Sequence, residues 1–408
     1  MGGQAVIAGP ARGEKHVAVV GGSIGGLTAA LLLRDAGWEV DVFERSAGLL
    51  QGRGGGIVLH PATIRYLVER AGVIPAEAGV AVTWVRYLDR AGRIAHRERC
   101  RYRFTSYDYL YRRLLECFGR ERYHLAEECV RLDDPAGSPS LEFASGRLVA
   151  ADLVVFADGI NSIGRRLLSP ETEPRYAGYV AWRGTVDESE VDPAALEALA
   201  DAITYHVLPA GHFITYPIPG PEGPGVSPRL RNWLWYWNVP PGPELDDLLT
   251  GGDGTRFTTS VPRGLVRRDH VSGLDRRAEA SLPPALAEIL TGTPEPFIQV
   301  IVDLAVERTA SGRACLIGDA AFTARPHIAV GTAKAAEDAW TLAAALDGVR
   351  GDVTRALVPW SRQQTALGAA AVARSREAGT RLQDGSWEVG EPLPYGLHEV
   401  GDSSFADD

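Results

Sequence analysis

Apolar and polar positions follow three rhythms along this chain. His16-Val-Ala-Val-Val20 is an unbroken apolar run, Gly21-Gly-Ser-Ile-Gly-Gly26 interrupts it, and Leu27-Thr-Ala-Ala-Leu-Leu-Leu-Arg-Asp-Ala-Gly37 continues with helical spacing. Glu39-Val-Asp-Val-Phe43 closes the unit, which reads as strand, glycine turn, helix and strand. Two more short apolar runs, Asp152-Leu-Val-Val-Phe-Ala157 and Ala314-Cys-Leu-Ile317, each pass into a polar turn, Asp158-Gly159-Ile-Asn-Ser162 and Gly318-Asp319-Ala-Ala321. Between about 176 and 300 the rhythm becomes strict alternation, in Thr185-Val186, Thr204–Leu208, His212–Ile218 and Trp233–Val239. Alternation of that kind predicts an antiparallel sheet with one face buried. A helical pattern over 353–383 predicts a final helix, placed either over an active site or along a dimer seam.

Composition narrows the class. At 408 residues, 45% hydrophobic and 23% charged, the chain fits a two-domain globular protein and excludes disorder and collagen. Its apolar runs are too short to span a membrane. The 42 basic and 52 acidic residues give a net charge of −10, which argues against nucleic acid or an anionic membrane as partner. Cys100, Cys117, Cys129 and Cys315 lack metal-like or redox spacing and suit a reducing cytoplasm, so no metal is expected. Residues 1–14 lack a signal-peptide layout and read, like 396–408, as a flexible tail. Only Lys15 and Lys334 are lysine, so 40 of the 42 basic residues are arginine.

The first unit has the setting a dinucleotide fingerprint requires. Gly21 permits the tight turn, Gly26 lets helix and strand approach, and the helix start offers amides to a diphosphate. Glu44 ends the second strand, where an acid accepts ribose hydroxyls. Ser23 replaces the middle glycine but is small enough for the same approach. Asp158 and Asp319 each follow a strand, where parallel sheets bind ligands.

These three segments, in this order, resemble the class A FAD-dependent aromatic hydroxylases, the family of p-hydroxybenzoate and salicylate hydroxylases. The resemblance implies an α/β fold: a Rossmann-like FAD-binding domain interleaved with an α+β antiparallel-sheet substrate domain, followed by C-terminal helices. The expected division is 15–80, 103–175 and 300–348 for FAD, 81–102 and 176–299 for substrate, and 349–390 for the helices. It places Gly21, Ser23, Gly26, Glu44 and Arg45 on the ADP part, Asp158-Gly159 near the diphosphate and nicotinamide route, and Gly318-Asp319 on ribityl or diphosphate hydroxyls. Arg53, Gly55 and Gly56, with Pro326, Val330, Gly331 and Thr332, would flank the flavin ring. Phe322 stands where the family usually has histidine, Ala329 where it has glycine, and Tyr111 where an arginine often opens a helix.

Further segments resemble the dihydroxypyridine hydroxylase branch, among them Arg103-Phe-Thr-Ser-Tyr-Asp108, Trp182-Arg-Gly184 and Trp235-Tyr-Trp-Asn-Val239. The implied reaction hydroxylates an electron-rich hydroxypyridine or phenol through a flavin C4a-hydroperoxide, with O2 and transiently bound NADH or NADPH. The ring is either a small dihydroxypyridine or a pyridinol natural-product intermediate of piericidin type, and the enzyme a monomer or homodimer. His212 and Tyr216, four apart on one strand face, are candidates for ionising the substrate hydroxyl. Val58, Arg183, Tyr205 and His327 are candidate substrate contacts. Trp233, Trp235 and Trp237 also share one strand face and read as core. Trp235-Tyr-Trp-Asn-Val-Pro240 nearly matches a flavin halogenase signature, but halogenases of that kind need a lysine after the fingerprint, and none lies between Lys15 and Lys334. A flavin disulfide reductase lacks its C-x-x-x-x-C pair. An NAD-dependent dehydrogenase and a non-catalytic flavin sensor are the remaining alternatives.

Overall fold

The computed structural model describes residues 15–52, 54–349 and 352–402, so Arg53 and the segments 1–14 and 403–408 lie outside the described residues. The apolar run His16–Val20 forms the centre of a six-stranded sheet, paired in parallel with Glu39–Phe43 on one side and Leu153–Phe156 on the other. Ala314–Leu316 pairs in parallel with Leu153–Phe156. Because the three predicted strands are adjacent and parallel, their following turns (Gly21–Gly26, Asp158–Ser162 and Gly318–Ala321) fall along one sheet edge. Helix Ile24–Asp35 packs Leu27 and Leu31 into a core shared with Ala339, Leu342 and Leu346 of helix Gly331–Gly348. A Cβ on Gly26 would lie 1.9 Å from the Gly21 carbonyl oxygen, so only glycine permits this helix to start so close to the turn.

The alternating segments build a ten-stranded sheet, chiefly antiparallel, around Arg175–Asp187, Ala202–Leu208, Gly211–Ile218, Leu230–Asn238 and Phe297–Ala305. Period-two geometry splits these strands by parity. Trp182, Phe213, Trp233 and Trp235 face a core with helices Arg268–Ser281 and Pro284–Thr291, as the alternation predicts. Tyr179, Tyr205, Tyr216, Leu234 and Tyr236 form a second cluster on the opposite face. Helix Val353–Asp384 runs 32 residues, capped by Asp352 at its start and by left-handed Gly385 at its end.

Two expectations change. The boundary expected at residue 300 falls inside Phe297–Ala305, whose register with Arg175–Asp187 continues from Phe297 to Asp303; the strand belongs to the large sheet. The flexible tail expected over 396–408 does not hold for residues 396–402. Leu397 is fully buried, Gly396 N donates to Ile328 O at 3.2 Å, Gly401 N donates to Glu337 Oε1 at 3.2 Å, and Asp402 Oδ1 pairs with His60 Nε2 at 3.0 Å. Buried Trp387, Tyr395 and Leu397 follow no helical or strand period, which is why this polar-looking segment reads as a tail. No helix among the described residues is long and apolar enough to cross a membrane.

Candidate active site

The sheet edge carrying the three turns faces the large sheet across a cavity of about 520 Å³. The turns supply Ser23, Gly159, Gly318 and Asp319; the segment 326–332 supplies Pro326, His327, Val330, Gly331 and Thr332. Gly55, Gly56 and Val58 form one wall, and Arg183, Tyr205, His212 and Tyr216 project from the large sheet. Residues far apart in sequence thus meet around one cavity.

The lower part of the cavity is built for a dinucleotide. Helix Ile24–Asp35 begins at Ser23 and helix Gly331–Gly348 at Val330, both without a side-chain cap, so their first amides remain available to an anion or carbonyl. Asp319 lines the cavity, exposed to it, and no partner for its carboxylate is found among the described residues; partial desolvation by the surrounding chain pushes its pKa up to about 6. An acceptor of this kind matches ribityl or ribose hydroxyls. Beneath the turn, the Gly318 amide donates to Asp338 Oδ2 at 2.9 Å, and Asp338 forms a buried ion pair with Lys334.

Other predicted residues serve the turns rather than the cavity. Glu44 accepts from Gly22 N at 3.0 Å and from Ser46 N at 2.9 Å, and so shapes the fingerprint. Asp158 Oδ2 accepts from Ile163 N at 2.7 Å and Gly164 N at 3.3 Å, the first amides of helix Ile163–Leu168, whose N-cap is Ser162; its neighbour Gly159 is the one that lines the cavity. Gly21 and Gly26 act by packing, and Arg45 is exposed. Ala329 adopts a left-handed conformation, φ 56°, which explains why the family favours glycine there. Phe322 is buried in the core, its ring 5.0 Å from Lys334 Nζ.

The upper part is aromatic and neutral. His212 stacks on Tyr236 with ring centroids 4.5 Å apart and stands 5.1 Å from the His327 ring. Burial pushes the His212 pKa down to about 3, so its imidazole is uncharged at ordinary pH, and its Nδ1 has no partner. His327 is likewise held far below the usual histidine range, by burial first and then by His212 and Arg325. Its Nε2 meets the Tyr179 hydroxyl at 2.7 Å, and the turn bearing it is anchored by Arg325, which grips Asp303 through two 2.8 Å contacts. Tyr216 donates to the Gly56 carbonyl at 3.1 Å and stacks on Phe104 at 4.2 Å. Burial raises its pKa to about 12, so it remains a phenol that secures the glycine wall.

Sequence reasoning misses Tyr107, Tyr236 and Tyr395. Tyr107, rather than Tyr111, is the aromatic group of that helix that reaches the cavity, and its hydroxyl meets Ser23 Oγ at 2.8 Å. Tyr236 shares its strand parity with Leu234 and was findable from the alternation that singles out the tryptophans. Tyr395 hydrogen-bonds Tyr205 and closes the far end, and no local pattern announces it.

A parallel nucleotide sheet facing an aromatic cavity on a second sheet defines a class, and sequence likeness agrees. The chain belongs to the class A FAD-dependent aromatic hydroxylases and is an aromatic-ring monooxygenase of the hydroxypyridine hydroxylase type. It is 41% identical over 396 residues to 2,6-dihydroxypyridine 3-monooxygenase of Paenarthrobacter nicotinovorans, covering 95% of this chain and 97% of that one. The solved 2,6-dihydroxypyridine-3-hydroxylase from Arthrobacter nicotinovorans superposes with a TM-score of 0.89, covering 95% and 98% of the two chains at 41% identity. A 3-amino-4-hydroxybenzoate 2-monooxygenase of Streptomyces cremeus is 30% identical, covering 81% and 78%. A family model described as FAD binding domain-like matches residues 176–303. Uncapped helix starts, the unpartnered Asp319 and the glycine wall fit FAD as the cofactor.

Proposed function

We propose that this enzyme hydroxylates a compact hydroxypyridine, or a closely related phenol, at a carbon ortho or para to a ring hydroxyl, using O2 and NADH or NADPH. The observation that carries this reading is the uncharged His212 inside an aromatic cavity beside the FAD-binding turns. Ring hydroxylation accelerates when the substrate hydroxyl is ionised, because the phenolate-like ring is the stronger nucleophile. The neutral imidazole can accept a hydrogen bond from that hydroxyl, and it takes the proton fully only as negative charge develops on the substrate beside it, which raises the pKa that burial alone holds down. We assign this role to His212, beside the His327–Tyr179 pair, which hydrogen-bond each other, and give Tyr216 the task of holding Gly56. Bound FAD supplies the activation of dioxygen, with electrons from the nicotinamide. The protein encloses the ring between Val58, Tyr236 and the Tyr205–Tyr395 pair and so keeps bulk water from the reacting centre.

Closure by Tyr205 and Tyr395 favours a single-ring substrate, as does the dihydroxypyridine named for the relative at 41% identity. A pyridinol with a long side chain would have to pass Leu393 and Tyr395. The test is a panel of dihydroxypyridines, hydroxynicotinates, phenols and side-chain-bearing pyridinols, scored by stimulated NAD(P)H oxidation and by product mass under isotopically labelled O2. One labelled oxygen in the product of a compact hydroxypyridine is expected. Labelled product only from a side-chain-bearing pyridinol overturns the substrate size, and no labelled product from any ring overturns the function.

A further inference from the structure

Arg183 lines the cavity and Arg263 stands beside it, and among the described residues neither is paired with a carboxylate. Arg183, on strand Arg175–Asp187, lines the cavity and donates from Nη1 to Gln299 Oε1 at 2.6 Å; its Nε is buried without a partner. Arg263 follows strand Ser260–Val261 and donates from Nη1 to Thr185 Oγ1 at 3.1 Å. Both guanidinium carbons lie over the Phe297 ring, 5.6 Å and 5.0 Å from its centroid. Among the described residues neither arginine has an ion pair within 4.0 Å; Asp108 and Glu295 attract Arg263 only from further away, while Arg183 repels it. The glycine wall is cut to fit: a Cβ on Gly55 would lie 2.8 Å from Arg183 Nη2.

Two partly desolvated like charges facing each other destabilise the empty site, and an oxyanion between them relieves that. Each guanidinium carries five N–H donors, and most remain unused here. A hydroxypyridine carries at most one delocalised negative charge and meets neutral imidazoles and phenols on the other side of the cavity. A dinucleotide diphosphate carries two concentrated charges, and a chain of net charge −10 repels it unless a local positive patch receives it. We propose that Arg183 and Arg263 form an oxyanion subsite beside the cavity that takes the diphosphate of the nicotinamide reductant. This assignment rests on the monooxygenase reading above and identifies where its electron donor docks.

The test uses the FAD-loaded enzyme, so that the FAD site is filled, and titrates it calorimetrically with ADP-ribose, inorganic phosphate and a hydroxypyridine. In Arg263→Gln the ADP-ribose Kd rises about tenfold or more, phosphate loses affinity in parallel, the hydroxypyridine Kd stays within about twofold, and Arg263→Lys recovers part of the loss. In anaerobic mixing the same variant raises the reductant concentration needed for half-maximal flavin reduction. Arg263→Ala repeats the pattern of Arg263→Gln, and a wild-type melting temperature in both variants guards against a folding defect. Unchanged ADP-ribose binding, or a loss confined to the hydroxypyridine, overturns the subsite. Arginine-dependent ADP-ribose binding in an enzyme that oxidises no aromatic ring would keep the subsite and overturn the monooxygenase reading instead.

Discussion

The two faces of the large sheet are made by the same strands and do opposite work. On Leu230–Asn238 the odd positions Trp233 and Trp235 enter a dry core, and Trp233 satisfies its indole N–H on Thr293 Oγ1 at 2.7 Å. The even positions Asn232, Leu234 and Tyr236 turn towards the cavity side, as do His212, Ile214 and Tyr216 on the neighbouring strand. The tryptophan face carries packing energy, with the indole N–H groups of Trp182 and Trp237 left unpaired among the described residues. The cavity face leaves His212 Nδ1 and Asn232 Nδ2 without partners among the same residues, beside the space a ligand would fill. Unpartnered buried polar atoms cost stability, which a molecule tolerates where a ligand will meet them. Stability and chemistry are therefore separated by residue parity.

The largest effect that could break this separation is in the core. Trp233→Ala removes a fully buried indole and is expected to lower stability by about 3–5 kcal/mol in urea unfolding. Turnover per folded, FAD-loaded molecule should stay within about twofold, and a much larger loss would show that the faces are coupled.

The Asp319 carboxylate gives the converse case. Asp319→Ala is expected to weaken FAD binding about 10–100-fold in fluorescence titration, the scale of a lost charge-assisted hydrogen bond. Asp319 is exposed to the cavity, so the apo variant should melt close to wild type.

A site remote from both faces serves as a control. His16 directs Nδ1 to the Ala150 carbonyl at 2.9 Å and Nε2 to Asp41 at 2.9 Å, so both ring nitrogens face acceptors. Burial opposes its charge, but these two bonds raise its pKa overall; burial likewise opposes Asp41 ionisation, yet His124, His16 and Arg122 hold that carboxyl well below its usual range. The His16 contribution is complete below about pH 6.5 and is lost as pH rises through its raised folded value, whereas that of Asp41 is lost as pH falls through its depressed one. His16→Gln should flatten the decline of melting temperature as pH rises above about 6.5. A slope equal to wild type would remove the cluster from the account.

The smallest effect is local. Ala329→Gly relieves a left-handed alanine and should stabilise the protein by about 0.5–1 kcal/mol, net of glycine's greater unfolded-state freedom. A destabilised Ala329→Gly would mean that the alanine methyl contributes packing worth more than its strain.

Legibility in the sequence follows the same physics. The nucleotide half is readable because its turns demand particular residues: only glycine fits at 26, and a parallel sheet presents the ends of its strands together. The parity of the large sheet is readable because alternation is local. What a carboxylate or hydroxyl does is harder to read. Asp158 looks like a ligand contact and caps a turn, and Tyr216 looks like a base and holds Gly56, because both roles use the same atoms and differ only in what lies within 3 Å. Tyr395 is invisible because it reaches the cavity from a segment without period, 190 residues from its partner Tyr205.

The division by parity is tested most directly by single-turnover hydroxylation in His212→Gln, measured beside its melting temperature. The account predicts product formation slowed by about a hundredfold or more, with flavin reduction within about threefold and a melting temperature near that of wild type. Hydroxylation at the wild-type rate, or a loss explained entirely by unfolding, would contradict it.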